Sequence, residues 1–297
     1  MNDLKIKITA LTNVGLVRDN NEDNFIVCCD LTNDKWMFSE QFIELGNKGA
    51  VFAVADGMGG QNAGEIASDL AIKMVKNKFL EVNNDVIEND ILVKQYMFDV
   101  IKSADEEICS FANHNSDSQG MGTTIVLAWI VRHKLFVAWC GDSRAYVFDN
   151  IHGLIQITKD HSYVQELVDN GVITKEQAFY HPDKNIITRS LGNEQNKAHP
   201  EIISCDLNNG MRILLCTDGL NGMIEDEQIE KIIRENEQIN KCKEELINQS
   251  LNAGGGDNVT VVLCDVVAPK DNENNSIIHD TLKNSRKRRF WGLFSAI

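Results

Sequence analysis

The chain has 297 residues, 43% of them apolar, which suffices for one large domain or two small ones with a sizeable core. Its formal charge is −15, and the last acid is Asp280, so the cations Lys283, Arg286, Lys287, Arg288 and Arg289 stand behind a body more acidic than the whole. An acidic body argues against a nucleic-acid groove and suits cation binding.

The eight cysteines form no C-x-x-C pair, and Cys140, Cys216 and Cys264 sit inside apolar runs. They read as reduced core thiols in a reducing compartment. No run reaches the ~18 apolar residues of a spanning helix, and Asp3, Lys5 and Lys7 charge the N-terminus. A cytoplasmic monomer is expected.

Residues 4–14 alternate apolar with polar and predict a strand, followed by a polar loop, 15–23, that holds Arg18, Asp19, Glu22 and Asp23. A second strand at 24–29 leads to a third that ends at Asp56, where Val51-Phe52-Ala53-Val54-Ala55 stops in Asp56-Gly57-Met58-Gly59-Gly60. Ala67, Leu70, Ala71, Met74 and Val75 fall at helical spacing over 64–79, and Met97, Val100, Ile101, Ala104, Ile108 and Phe111 mark a second helix. Four strands with short turns, 123–130, 134–140, 144–148 and 154–158, predict a meander. Residues 160–192, with His161, His181 and Arg189, are too irregular for a core element and are expected to form a surface flap. Strands at 201–205 and 211–216, two helices and a last strand at 258–266 complete the body. Strand blocks separated by helix pairs predict an α+β layered domain, not a doubly wound parallel sheet. From Ala268 the composition turns to Asn, Asp, Lys and Ser, which cannot bury enough apolar surface to fold alone. The expected division is a catalytic domain over 1–268 and a polar linker with a basic and aromatic tail over 269–297.

Asp56, Asp142 and Asp218 each close an apolar run beside a glycine, and Asp257 follows Gly254-Gly255-Gly256 directly before the last strand. Hard ions such as Mg2+ or Mn2+ take oxygen ligands from few carboxylates and keep several waters. Acids at strand ends supply such a shell, and the Gly57 carbonyl is free in a tight turn to add a neutral ligand. Two ions a few ångströms apart can share one hydroxide and clamp phosphate oxygens. One Asp-Gly pair is an ordinary turn; the repetition is what points to metal. The Arg18 guanidinium offers a planar fork for a phosphate dianion.

Taken in order, Arg18-Asp19-Asn20-Asn21-Glu22-Asp23, Asp56-Gly57-Met58-Gly59-Gly60, Gly122-Thr123-Thr124, Gly141-Asp142-Ser143-Arg144, Asp160-His161-Ser162, Thr188-Arg189-Ser190-Leu191-Gly192, Cys216-Thr217-Asp218-Gly219 and Gly256-Asp257-Asn258 resemble the motifs of the metal-dependent type 2C (PPM) protein Ser/Thr phosphatases, in their bacterial branch. The resemblance runs from about residue 8 to 266. It implies two packed antiparallel β-sheets flanked by helix pairs, and hydrolysis of phosphoserine or phosphothreonine by a metal-bridging hydroxide without a phospho-enzyme. It further implies that Asp56 bridges two Mn2+ or Mg2+ ions, Gly57 ligates one through its carbonyl, and Asp218 and Asp257 hold the other. Glu22 and Asp23 would act through metal-bound water, Arg18 would receive the phosphate, and Asp142 would help hold a third, weaker ion. Met58 stands where the animal enzymes carry a His proposed as proton donor, and Gln61 offers no acid either. His161 is one candidate for that role, with a packing histidine as the alternative.

The competing reading is a catalytically silent relative that acts as a binding or sensor module, but every expected ligand position holds a competent residue. An EF-hand calcium loop and a cysteine-based phosphate loop are both missing from the sequence. Expected partners are phosphoproteins made by a Ser/Thr kinase. In the tail, the basic cluster runs into Phe290, Trp291, Leu293, Phe294 and Ile297, the composition of an interfacial segment that would give peripheral contact with the inner membrane face or an acidic partner helix, with a disordered tail whose apolar end folds back on the acidic body as the alternative.

Overall fold

The first and last strands of the protein are partners. In the computed structural model, which describes residues 4–59, 63–193 and 198–268, β1 (Lys5–Asn13) pairs along its whole length with β12 (Val259–Val267), from Lys5↔Val267 to Asn13↔Val259. Around this pair β3 (Ile43–Glu44), β11 (Arg212–Cys216), β8 (Arg144–Asp149) and β9 (Gly153–Gln156) build one antiparallel sheet in the order β3-β1-β12-β11-β8-β9. A second sheet runs β10 (Glu201–Asp206), β7 (Lys134–Cys140), β6 (Ile125–Val131), β4 (Ala50–Met58) and β2 (Asp23–Cys28), with β5 (Gly122–Thr123) paired to the end of β4.

Strand periodicity sorts the core into three layers. Ala50, Phe52 and Val54 of β4 point between the sheets toward Ile6, Ile8, Ile213 and Val262, while Val51, Ala53 and Ala55 face the helices. Burial on both faces is why this strand reads as an unbroken apolar run. Helices α1 (Ala63–Leu80) and α2 (Asp90–His114) cover the second sheet with Val75, Phe79, Met97 and Ile101. The other face is covered by one-turn α5 (Asp218–Asn221), α6 (Asp226–Glu235) and α7 (Ile239–Asn252). The architecture is the expected α+β sandwich of two antiparallel sheets between helix pairs.

Three local expectations are corrected. The predicted meander splits after β7, so that β6 and β7 belong to one sheet and β8 and β9 to the other. The chain changes sheet at Gly141, whose φ of +120° and whose missing Cβ, which would stand 2.5 Å from that of Thr124, both demand glycine. Strand β4 does not end at Asp56 but runs through Gly57 to Met58, and Asp218 opens a helical turn instead of closing a strand. The flap, which carries α3 (Tyr163–Asp169) and α4 (Lys175–Phe179), is surface structure only in its middle. Its two ends are bridged to each other at Ser162↔Ile187, and its return is built into the body by the backbone bridge Thr123↔Leu191, with Leu191 fully buried. Gln61 and the whole of 269–297, including the basic and aromatic cluster, lie outside the described residues.

Asp105, buried in the middle of α2, anchors the flap's return: its two carboxylate oxygens accept from Gly192 N–H at 2.9 Å and Ala198 N–H at 3.1 Å. An asparagine there keeps one acceptor and turns an amide N–H2 toward the other donor. Asp105→Asn should therefore cost about 1–3 kcal/mol in urea unfolding and speed limited proteolysis within 160–192; equal midpoints and equal digestion rates would show that the anchor does not hold the flap.

Candidate active site

Five acids meet at one end of the sandwich because the strand registers bring them there. Asp23, first in β2, lies opposite Asp56 in β4. Asp142 follows β7 at the crossing between sheets, Asp218 follows β11, and Asp257 precedes β12, the neighbour of β11. The acids are close enough for Asp23, Asp218, Asp142 and Asp257 all to act on the ionisation of Asp56.

Hydroxyl groups hold these acids in place. Thr217 and Thr260 both donate to Asp23 Oδ2, at 2.8 and 2.7 Å, and Thr217 Oγ1 also accepts from the Thr260 N–H, so the β11–β12 pair carries the buried carboxylate of β2. Thr123 donates from Oγ1 to the Asp56 carbonyl at 2.9 Å. The Asp56 N–H donates to Thr124 Oγ1, which is 2.6 Å from the Oγ of Ser143, the neighbour of Asp142. The Asp56 backbone is thus linked through one hydroxyl pair to the residue that follows Asp142.

The loop before β2 is tied to the last strand by Asn258. Its Nδ2 donates to the Val14 and Asn20 carbonyls at 2.9 and 2.8 Å, and its Oδ1 accepts from the Glu22 N–H at 2.8 Å. This places Arg18 over Asp257, Nη2 to Oδ2 at 2.8 Å, with the guanidinium still half exposed. Gly57 is fixed by space: a Cβ there would stand 2.2 Å from the Gly64 carbonyl and 2.6 Å from that of Glu22. The Glu22 carboxylate lies against the start of α1, where a Cβ on Gly64 would meet Oε2 at 2.5 Å.

Electrostatics make the cluster costly. Burial pushes Asp56 and Asp142 well above the usual carboxylate range, with Asp23, Asp218 and Asp142 adding to the effect on Asp56, and Asp218 and Asp160 to that on Asp142. Burial, then Asp257, raises Asp218 to about 6. For Asp23 burial outweighs the two threonine hydrogen bonds and leaves it at about 7. Burial also raises Glu22, whereas the hydrogen bond to Asp257 raises Arg18. Buried oxygens are left over: Asp23 Oδ1, Asp142 Oδ1 and Asp218 Oδ1 have no hydrogen-bond partner, a condition that native interiors avoid unless something else satisfies the atom. Among the described residues no three acidic, histidine or cysteine side chains stand close enough to make a metal cage unaided, so ions held here need further ligands of the kind that water and a backbone carbonyl supply.

His161 resolves as a packing histidine. Its Nδ1 accepts from Gly141 N–H at 3.1 Å, its Nε2 is 3.2 Å from Glu201 Oε1, and its ring stacks on Trp139. Both ring nitrogens are thereby engaged, Nδ1 latching the flap to the sheet crossing and Nε2 facing the start of β10. Sequence reasoning assigned no role to Thr123, Thr124, Ser143, Thr217, Thr260, Asn258 or Asp105; Ser143, Thr217, Asn258 and Thr260 sit within three residues of a named acid, and that adjacency was the available signal, whereas Thr123, Thr124 and Asp105 have no such neighbour. The eight cysteines are all free thiols, as expected.

The protein phosphatase 2C family model matches residues 33–253. The chain is 33% identical over 252 residues to the serine/threonine phosphatase stp of Listeria monocytogenes, covering 85% of this chain and 92% of that protein. It is 34% identical over 264 residues to the serine/threonine protein phosphatase PstP of Mycobacterium tuberculosis, covering 89% of this chain and 46% of that one. Among solved structures, Stp1 of Staphylococcus aureus superposes with a TM-score of 0.76 at 30% identity, over 88% of this chain and 94% of that one. The catalytic domain of PstP in complex with two manganese ions gives 0.72 at 32% identity, over 89% and 99%. The chain belongs to the protein phosphatase 2C family and is a protein serine/threonine phosphatase. The silent-module alternative is not favoured, since relatives in several genera are named as phosphatases.

In the metal-free fold the raised carboxyls are neutral at low pH. The stability they lend is complete below their unfolded value of about 4 and is lost as pH rises through about 6 and about 7. With chelator present, the urea midpoint should fall between pH 5 and 8, and excess Mn2+ should reverse the fall; a midpoint flat across that range would mean that burial and neighbouring charge do not raise these acids.

Proposed function

We propose that this phosphatase holds two Mn2+ or Mg2+ ions at Asp56, the Gly57 carbonyl, Asp218 and Asp257, with a third, weaker ion at Asp142 and with Glu22 and Asp23 acting through water. The observation that carries the reading is the set of buried, unpartnered oxygens on Asp23, Asp142 and Asp218. When bound, such ions activate water and neutralise charge on phosphate oxygens. The protein's own residues do the rest. Thr217 and Thr260 keep Asp23 turned into the site, Thr124 and Ser143 set the spacing of Asp56 and Asp142, and Asn258 fixes the loop from which Arg18 reaches outward. Arg18, permanently charged and half exposed, receives the phosphate dianion, with Asp257 holding its fork in plane. His161, with both nitrogens occupied, is not assigned the leaving-group proton.

Phosphoserine and phosphothreonine proteins made by a Ser/Thr kinase are the substrates. No helix among the described residues is long and apolar enough to cross a membrane. The composition of 283–297 supports reversible contact with an anionic membrane face, worth roughly 1 kcal/mol per cation, and a chain truncated after Pro269 should no longer co-sediment with anionic vesicles at low salt. Failure of the full chain to sediment would remove the membrane contact.

Hydrolysis of para-nitrophenyl phosphate should vanish in chelator and return with Mn2+ or Mg2+. Asp218→Asn should lower kcat by orders of magnitude in a folded protein, whereas Arg18→Ala should act mainly on KM for a phosphopeptide. Activity that persists in chelator would overturn the metal assignment, and unchanged KM would return Arg18 to a solvated loop residue.

A further inference from the structure

A cleft opens from Asp142 and Asp218 and runs outward between the flap and the turn joining α5 to α6. Its two walls differ in chemistry. On the flap side Val164, Val168 and Phe179 present apolar surface beside the opposite charges of Lys175 and Glu176, and on the other side Glu225, Asp226 and Glu227 line up at the start of α6. The floor is neutralised internally. Arg144 donates from Nε and Nη2 to both oxygens of Asp160, at 2.7–3.0 Å, and from Nη1 to the Tyr146 hydroxyl at 2.9 Å, which in turn donates to Asp226 at 2.8 Å. At the inner end Asp142, only 6% exposed, lines the same space.

A wall of aliphatic and aromatic carbon facing a wall of carboxylates suits a long cationic side chain, whose methylenes pack on one side while its head group meets the other. The cleft already contains one example: Lys184 places its ammonium 5.2 Å over the Phe179 ring while donating to the Gly222 carbonyl at 2.9 Å. Glu227 and Glu176 remain at the mouth, both exposed, on opposite walls.

We propose that this cleft receives the polypeptide beside the phosphorylated residue and selects substrates with lysine or arginine there. The inference rests on the phosphatase site described above and adds the class of sequence that it prefers. The apolar wall holds the side-chain stem, Glu176 and Glu227 draw the head group, and the floor, closed by Arg144, excludes a further cation from reaching the acids of the metal site.

The test compares phosphothreonine peptides identical but for flanking arginines or flanking glutamates, scanned on both sides of the phosphorylated residue, with para-nitrophenyl phosphate as a substrate that has no flanks. The full chain loaded with Mn2+ should show kcat/KM about 5- to 10-fold higher for the basic peptides, the size of a few partly screened contacts, and the ratio should shrink with added salt. The double variant Glu176→Lys, Glu227→Lys should lose or invert the ratio while para-nitrophenyl phosphate turnover stays at the unmodified level. Equal kcat/KM for the two peptide sets, or a ratio untouched by the charge reversal, with para-nitrophenyl phosphate still hydrolysed, would overturn the selectivity alone. Loss of turnover on every substrate by the unmodified protein would instead overturn the phosphatase site and this inference with it.

Discussion

Carboxylates that are buried together repel one another, and the fold is arranged to force that proximity. Asp56 and Asp142 are held well above the ordinary carboxylate range, and Asp23 and Asp218 are raised to about 7 and about 6, in each case by burial first. A core would ordinarily relieve such a cluster by turning an acid to solvent or giving it a basic partner. Here neither route is open. Asp23 is fixed by two threonines on neighbouring strands, and Asp56 lies within a strand whose next residue, Gly57, has no room for even a methyl group. The strain of charge is therefore a property of the strand register, and it is the feature that the proposed divalent cations would relieve.

That dependence explains why the two sheets must pack face to face. The pair β1–β12 brings Asn13 opposite Val259, so the loop carrying Arg18 leaves the sheet beside Asp257 and Asn258. The register of β2 on β4 sets Asp23 against Asp56, and the intersheet layer of Ile8, Phe52, Val54, Ile213 and Val262 holds the two halves at a fixed distance. A one-residue slip of β2 would turn Asp23 to the other face. The apolar core is thus the ruler that measures spacing between acids drawn from both sheets.

Much of this was legible in the sequence. Period-2 alternation and continuous apolar runs placed the strands, helical spacing placed α1 and α2, and the recurring acid beside glycine singled out Asp56, Asp142, Asp218 and Asp257, all of which the fold brings to one end. What stayed hidden was non-local. Nothing in residues 134–158 tells that the chain leaves one sheet for the other at Gly141, because each strand looks the same whichever sheet it joins. Nor does a threonine announce that its hydroxyl serves an acid far away in the chain, as Thr260 serves Asp23. His161 shows the converse: its chemistry suggested a proton donor, and only its two hydrogen-bond partners reveal a latch.

The sheet crossing at Gly141 joins two functions that the chain otherwise keeps apart. Within four residues it supplies the backbone groups that exchange hydrogen bonds with His161, the acid Asp142, the hydroxyl of Ser143 that reaches Thr124, and the guanidinium of Arg144 that grips Asp160. His161 and Asp160 are the first residues of the flap, whereas Thr124 holds Asp56. The root of the flap is therefore hydrogen-bonded to the backbone that leads into Asp142, and the Asp56 backbone is joined to the residue after Asp142 through one hydroxyl pair. The cleft between α4 and α6 and the acids thus share one junction, and that junction turns on a glycine whose positive φ and contact with Thr124 leave no place for a side chain.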